Sequence, residues 1–153
     1  VSGPPHIRTS RARFQGYRDA LTAAGIGVDQ SLVESGWFTV DGGAKAVSAL
    51  LERRPDITAV FAANDVMAFG VLHELATRGV EVPGSISVAG FDDIRMAAYL
   101  HTPLTTVRVP TYEMGREGMA IMLEVLAGRR PRLRKVPTEV VERASTGPPR
   151  RAR

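Results

Sequence analysis

Two apolar runs that each stop at polar residues limit how this chain folds. Ile57 to Ala63 reads ITAVFAA and ends at Asn64 and Asp65, while Ile86 to Gly90 reads ISVAG and ends at Phe91, Asp92 and Asp93. Neither run follows a clean apolar-polar alternation, so each predicts a strand covered on both faces, as in a parallel sheet. Between them Met67, Val71, Leu72 and Leu75 recur at helical spacing, and Gly79 offers a helix stop. Strand, helix, strand is a βαβ unit, which places its helix across one face of a parallel sheet.

The rest of the chain continues the alternation. The spacing of Phe14, Tyr17, Leu21 and Ala24 predicts a helix from about Ser10 to Ala24, closed by Gly25. Val1 and Ser2 read as the end of a strand, and Ser31 to Gly36 as another short one. A second helix follows, capped by Asp41, with Ala44, Val47, Leu50 and Leu51 facing inward and Pro55 ending it. After the second apolar run come a short helical piece near Ile94 to Tyr99 and a proline-bounded strand over 104–109. A helix over 111–126 and a last strand from Thr138 to Arg143 complete the pattern. The fold class expected is α/β, a parallel sheet with helices on both faces, and 153 residues suffice for a core of that kind.

In open parallel sheets ligands sit beyond the carboxyl ends of the strands. The groups found after the four strand candidates are the Arg11 and Arg13 region, Trp37 and Phe38, Asn64 and Asp65, and Asp92 and Asp93. Together they make a polar cleft with an aromatic wall, a chemistry suited to a small hydroxylated ligand. Each position also has a plainer reading. Asn64 or Asp65 caps the next helix, Asp92 or Asp93 caps the piece after it, the arginines lie on a solvated helix face, and either aromatic belongs to the core.

Several function classes lose their support. With no cysteine there is no disulfide, thiolate metal site or Cys nucleophile, which fits a reducing compartment. His73 and Glu74 begin a zinc-helix pattern, but Thr77 stands where the second His belongs, and the three histidines share no ligand spacing. No phosphate-binding glycine motif and no nucleophile elbow occurs, so neither an enzyme, a cofactor nor a metal is expected. No run approaches the roughly 18 apolar residues of a membrane helix. The net charge of +4 resembles a nucleic-acid signal, yet Arg129, Arg130, Arg132, Arg134 and Lys135 share one loop, and Arg150, Arg151 and Arg153 share the tail. Removing these eight from +4 leaves −4 for the rest, so the body is mildly acidic, the basicity belongs to two flexible segments, and DNA contact by those basic residues is not expected.

Taken jointly, five blocks resemble the effector-binding domain of LacI-type (lactose-repressor-like) transcription regulators. They are RFQGY from Arg13 with Ala20 and Leu21, TAVFAAND from Thr58 to Asp65 with AFG from Ala68, VPGSISVAGFDD from Val82 to Asp93, PLTT from Pro103, and ERAST from Glu142 to Thr146. The resemblance implies a periplasmic-binding-protein-like fold of two lobes with a small effector, a sugar by expectation, held between them. It further implies cytoplasmic homodimers that read operator DNA through an N-terminal helix-turn-helix. Position by position, Arg13 matches the effector-gripping arginine, Phe38 the stacking aromatic with Trp37 as its alternative, and Asn64 and Asp92 the polar contacts, while Asp65 and Asp93 keep structural roles. A sugar-binding protein of a transport system shares the fold and is the alternative reading.

The same resemblance divides the chain. Residues 1–103 correspond to the C-terminal lobe, entered inside its first strand, and 104–127 to a strand and helix of an otherwise missing N-terminal lobe. Residues 128–146 form a basic loop and return strand, and 147–153 a disordered tail. The sequence is therefore expected to be a fragment or truncated form of a regulator, without the helix-turn-helix. Its last helix would expose Met119, Met122, Leu123 and Leu126, a patch prone to association.

Overall fold

The computed structural model describes residues 1–149. In chain order the elements are α1 (Arg8–Ala23), α2 (Val40–Arg53), β1 (Ala59–Phe61), α3 (Asp65–Thr77), β2 (Ser87–Ala89), β3 (Thr106–Arg108), α4 (Thr111–Leu126) and β4 (Glu139–Val141). Short 3₁₀ turns occupy Gln30–Leu32 and Arg95–Ala98. β1 and β2 pair in parallel, with Ala59 opposite Ser87 and Phe61 opposite Ala89.

Single parallel bridges widen this pair into a broader array. Ser2 bridges Ser35, and the Ala63 N–H donates to the Val1 carbonyl at 2.9 Å, which seats residues 1–2 beside β1. On the other side Ala89 bridges Thr105 and Asp92 bridges Arg108, so the strand entering β3 continues the parallel order. β3 then turns to an antiparallel partner, with Thr106 opposite Val141 and Arg108 opposite Glu139.

The core lies on one face of β1 and β2. Val60 and Val88 meet Val47 of α2 and Met67, Val71 and Leu75 of α3 there, all of them buried. α2 and α3 approach so closely that two glycines are required. A side-chain carbon on Gly43 would meet the Met67 carbonyl, and one on Gly70 the Val40 carbonyl. α1 covers the opposite face, where Ala59 and Phe61 point by strand alternation. It packs loosely: Ser10 is its only buried residue, and Phe14 and Tyr17 line an open apolar cavity of about 100 Å³ with Val1, Ala59 and Phe61.

Four sequence expectations change. The run ITAVFAA is fully covered on one face only, because short Ala59 leaves a gap under α1 and is itself exposed. Ser31 to Gly36 forms a 3₁₀ turn and one bridge rather than a strand. α1 begins two residues early, at Arg8. Thr39, not Asp41, caps α2: its backbone is extended (φ −116°, ψ 156°) and its Oγ1 accepts the Gly42 N–H at 2.9 Å, leaving Asp41 in the first turn.

The outer elements behave as solvent-facing structure. No residue of α4 is buried, and Met119, Met122, Leu123 and Leu126 are 53–74% exposed. Arg134 of the basic loop folds onto α4, pairing with Glu117 and Glu124 at 2.6 Å each. Gly147, where the tail was expected to begin, accepts from and donates to the Ser87 hydroxyl at 3.3 and 3.1 Å. Residues 150–153 of that tail lie outside the described residues.

The glycine packing gives a paired prediction. Gly70→Ala drives a methyl into the Val40 carbonyl and is expected to lower stability by about 1–3 kcal/mol. Gly16→Ala, within α1 and with open space around it, is expected to raise stability by about 0.5–1 kcal/mol. Urea unfolding followed by circular dichroism reads both signs.

Candidate functional site

Because neighbouring strands run in parallel, their carboxyl ends open on one edge, and three of the four sequence candidates approach each other there. Arg13 rises from α1 with its side chain 17% exposed. Its Nη1 donates to the Ala63 carbonyl at the end of β1 at 2.5 Å, and its Nη2 to Asp92 Oδ1 beyond β2 at 2.7 Å. The guanidinium also lies 4.0 Å from the centre of the Phe91 ring, a cation–π contact that holds the fork flat. Arg13 therefore spans the ends of two strands. Arg11 turns elsewhere, donating to the carbonyls of Pro5 and His6 from an exposed position.

Asp92 has an uncommon backbone, φ 120°, and Asp93 follows at φ 54°. Side-chain-bearing residues reach such angles at a cost of about 1–2 kcal/mol each, and they persist where the surroundings over-determine them. Here the backbone of Asp92 is fixed against β3, donating to the Val107 carbonyl at 2.9 Å and accepting the Val109 N–H at 3.3 Å. Burial lifts the Asp92 carboxyl above the usual carboxylate range; Arg13 opposes that shift and nearby Asp65 adds to it.

Asp93 behaves oppositely. Burial penalises its charge, but hydrogen bonds from Arg143 (2.6 Å) and Arg108 (2.7 Å) outweigh that penalty and hold its carboxyl below the usual range. It is a brace rather than a helix cap, since the following 3₁₀ turn has no side-chain cap at all. Asp65 is also structural. Fully buried, it accepts the Thr106 hydroxyl at 2.5 Å and the Ile94 N–H at 2.9 Å.

Asn64 caps α3, its Oδ1 accepting the Met67 N–H at 2.9 Å; its amide nitrogen makes no hydrogen bond among the described residues. The aromatic pair is split by two left-handed residues, Trp37 at φ 54° and Phe38 at φ 59°. Phe38 turns inward, half-buried against the core, with its ring lying on Gly3, where any side chain would strike it. Trp37 turns outward, 59% exposed, its ring 6.4 Å from that of His6. Sequence reasoning missed Phe91 as the platform beneath Arg13, and Arg143 as a partner of Asp93. Both stand inside the blocks quoted above and at strand ends, Phe91 after the second apolar run and Arg143 after the last strand, so position marked them but their partners did not show in the local sequence.

The arrangement can exchange one hydrogen-bonding set for another. A guanidinium and a partly buried carboxylate that satisfy each other can each bind a hydroxyl of an entering molecule, with the unused Asn64 amide at the neighbouring strand end. Among the described residues no group of three His, Cys, Asp or Glu side chains is placed to hold a metal ion.

Residues 1–146 match the periplasmic binding protein-like domain family. The HTH-type transcriptional regulator CelR of Thermobifida fusca is 41% identical over 128 residues, covering 84% of this chain and 38% of that protein. The HTH-type transcriptional repressor CytR of Escherichia coli K12 is 40% identical over 129 residues, with the same 84% and 38% coverage. A solved CelR–cellobiose complex superposes with a TM-score of 0.90 at 39% identity, over 95% of this chain and 45% of that one. A LacI-family regulator from Burkholderia phymatum superposes with a TM-score of 0.85 at 34% identity, over 96% and 54%. The chain thus spans about 38% of the length of these curated relatives.

The neighbouring carboxylates are expected to respond oppositely to neutralisation. With its folded pKa raised, Asp92 binds protons more readily in the folded state, so its contribution to stability falls as pH rises through that window. Asp93, with its folded pKa depressed, contributes stability above the ordinary Asp range that is lost as pH falls through its folded value. At neutral pH Asp92→Asn should therefore leave the melting temperature unchanged or higher, and Asp93→Asn should lower it. Near pH 3 the Asp93→Asn deficit should shrink. Thermal unfolding at both pH values is the check.

Proposed function

The chain belongs to the periplasmic binding protein-like family, among the LacI-type regulators, and from that premise we propose that it is the effector-sensing part of a transcriptional regulator. The observation that carries the reading is Arg13 bridging the ends of β1 and β2 to Asp92, which is held in a left-handed turn at the open edge of the sheet. The effector is a small sugar. Arg13 and Asp92 grip its hydroxyls and the Asn64 amide adds a donor, while Phe38, to which the resemblance gives the stacking position, lays its ring on Gly3 and leaves Trp37 as the exposed ring. One solved relative is described as a cellobiose complex, which supports a glycoside as the first probe.

Effector binding alters DNA affinity by shifting the balance of two lobe arrangements in a homodimer. Residues 1–103 and 128–146 form the lobe that carries Arg13 and Asp92; of 104–127, which the resemblance gives to a second lobe, the strand over 104–108 joins the sheet beside β2, so only α4 is left for that lobe. The protein works in the cytoplasm, and no helix among the described residues is long and apolar enough to cross a membrane. No residue of 1–149 is assigned to DNA, which such regulators read with a helix-turn-helix. The transporter alternative is not favoured, because the relatives are named as HTH-type regulators.

Isothermal titration with cellobiose, glucose and a panel of other disaccharides tests the reading. Asp92→Ala and Arg13→Ala are each expected to weaken the best ligand by roughly 10- to 100-fold, the size of a lost hydrogen bond to a charged group. Affinity unchanged in Asp92→Ala overturns the role given to that carboxylate.

A further inference from the structure

The turn that carries Asp92 has a second anchor that the sugar-gripping role leaves unused. Asp92 and Asp93 are consecutive left-handed residues, and their carboxylates find different partners. Asp92 meets Arg13 in the cleft at 2.7 Å. Asp93, with a side chain only 8% exposed, takes Arg143 Nη2 on Oδ1 and Arg108 Nε on Oδ2.

Those two arginines lie on opposite strands of the β3–β4 ribbon. Arg108 ends β3 and pairs onward with Glu139 of β4 at 2.5 Å. Arg143 lies just past the end of β4, and its Nη1 also holds the Leu104 carbonyl at 2.8 Å. The backbone of Asp92 already bonds to Val107 and Val109 on the outgoing strand. One two-residue turn therefore touches the cleft with its first side chain and both ribbon strands with its second.

The coupling follows from stiffness. Asp92 and Asp93 share a planar peptide, and a left-handed pair has few alternative wells to relax into. Charge-assisted hydrogen bonds at 2.6–2.7 Å to a mostly buried carboxylate resist stretching. A displacement of Asp92 large enough to exchange Arg13 for another partner must carry the ribbon with it or break the Asp93 ion pairs. We propose that Asp93 is a positioning residue that ties the Asp92–Arg13 grip to the β3–β4 ribbon, so that the two change state together. The inference rests on the effector reading for what the grip is for, whereas the coupling belongs to the free protein and is measured without ligand.

Hydrogen exchange over residues 139–141, normalised to α3 to remove global unfolding, reads it. Arg13→Met removes the grip without touching β4, and it is expected to speed exchange there by roughly three- to tenfold. In an Asp93→Asn background the same substitution should add less than half of that increment, and Asp93→Glu should restore at least half of what Asn removes. Arg108→Gln, at a half-exposed side chain, cuts one of the two Asp93 ion pairs and also the Arg108–Glu139 pair, so the Arg13→Met increment is read against Arg108→Gln alone. It should transmit an intermediate increment even if Asp93→Asn fails to fold. Unchanged exchange on Arg13→Met, an equal increment in every background, or no restoration by Glu overturns the assignment. A protein that binds no sugar yet shows this pattern keeps the coupling and loses the effector reading, so the two fail separately.

Discussion

One buried carboxylate fixes the edge of the sheet on which everything functional stands. Asp65 occupies the first turn of α3, where the helix dipole favours negative charge, and it is wholly inaccessible to solvent. Its oxygens take the Thr106 hydroxyl and the Ile94 N–H, and its own N–H donates to the Phe91 carbonyl at 2.8 Å. The end of β1, the turn after β2 and the start of β3 are thereby held by one residue. Nothing larger than hydrogen fits at Gly90, because a side chain there would meet this carboxylate and Leu104. Removing the carboxylate would leave a buried hydroxyl and an amide without partners, which costs more than the bonds themselves contribute.

Above that brace, Arg13 and Asp92 illustrate how a polar cleft stays folded with no ligand in it. Each would be costly to leave unpaired in a half-buried site, and each satisfies the other. Arg13 is further held by the Ala63 carbonyl and the Phe91 ring, so it arrives preorganised. Asp92 is the partner held at greater cost. Its burial works against its charge, and its backbone lies in a sparsely populated region. A well-held donor facing a strained acceptor suits a site that has to exchange partners.

The architecture was legible in the sequence because apolar runs and helical periodicity report burial directly. The positions of α2, α3, α4 and the two central strands follow from them, as does the meeting of Arg13, Asn64 and Asp92 at one edge. Less was legible where a residue's role depends on backbone angle or on a distant partner. Thr39 rather than Asp41 caps α2 because Thr39 is the residue with extended backbone. Trp37 and Phe38 part inward and outward because both adopt positive φ, a conformation their composition does not suggest. Arg143 joins Asp93 from 50 positions away, and no local pattern marks such a pair. The half-open face of β1 reflects α1 standing off from short alanine side chains, a packing detail that hydrophobicity alone does not carry.

Ser145 closes the seam between β2 and the strand that leads into β3. Fully buried, its Oγ donates to the Val88 carbonyl at 2.6 Å and accepts the Thr105 N–H at 2.7 Å, while its backbone bonds to Val88 and Pro103. A single hydroxyl thus performs the hydrogen bonding that a neighbouring strand would ordinarily supply. Its partners lie 57 and 40 positions earlier in the chain. Contacts of such sequence separation form slowly, because loop-closure entropy is lost before they are made. The wall that presents Asp92 is therefore expected to assemble after the α2–α3 pair, whose segments are close in the chain, because its seam needs residue 145.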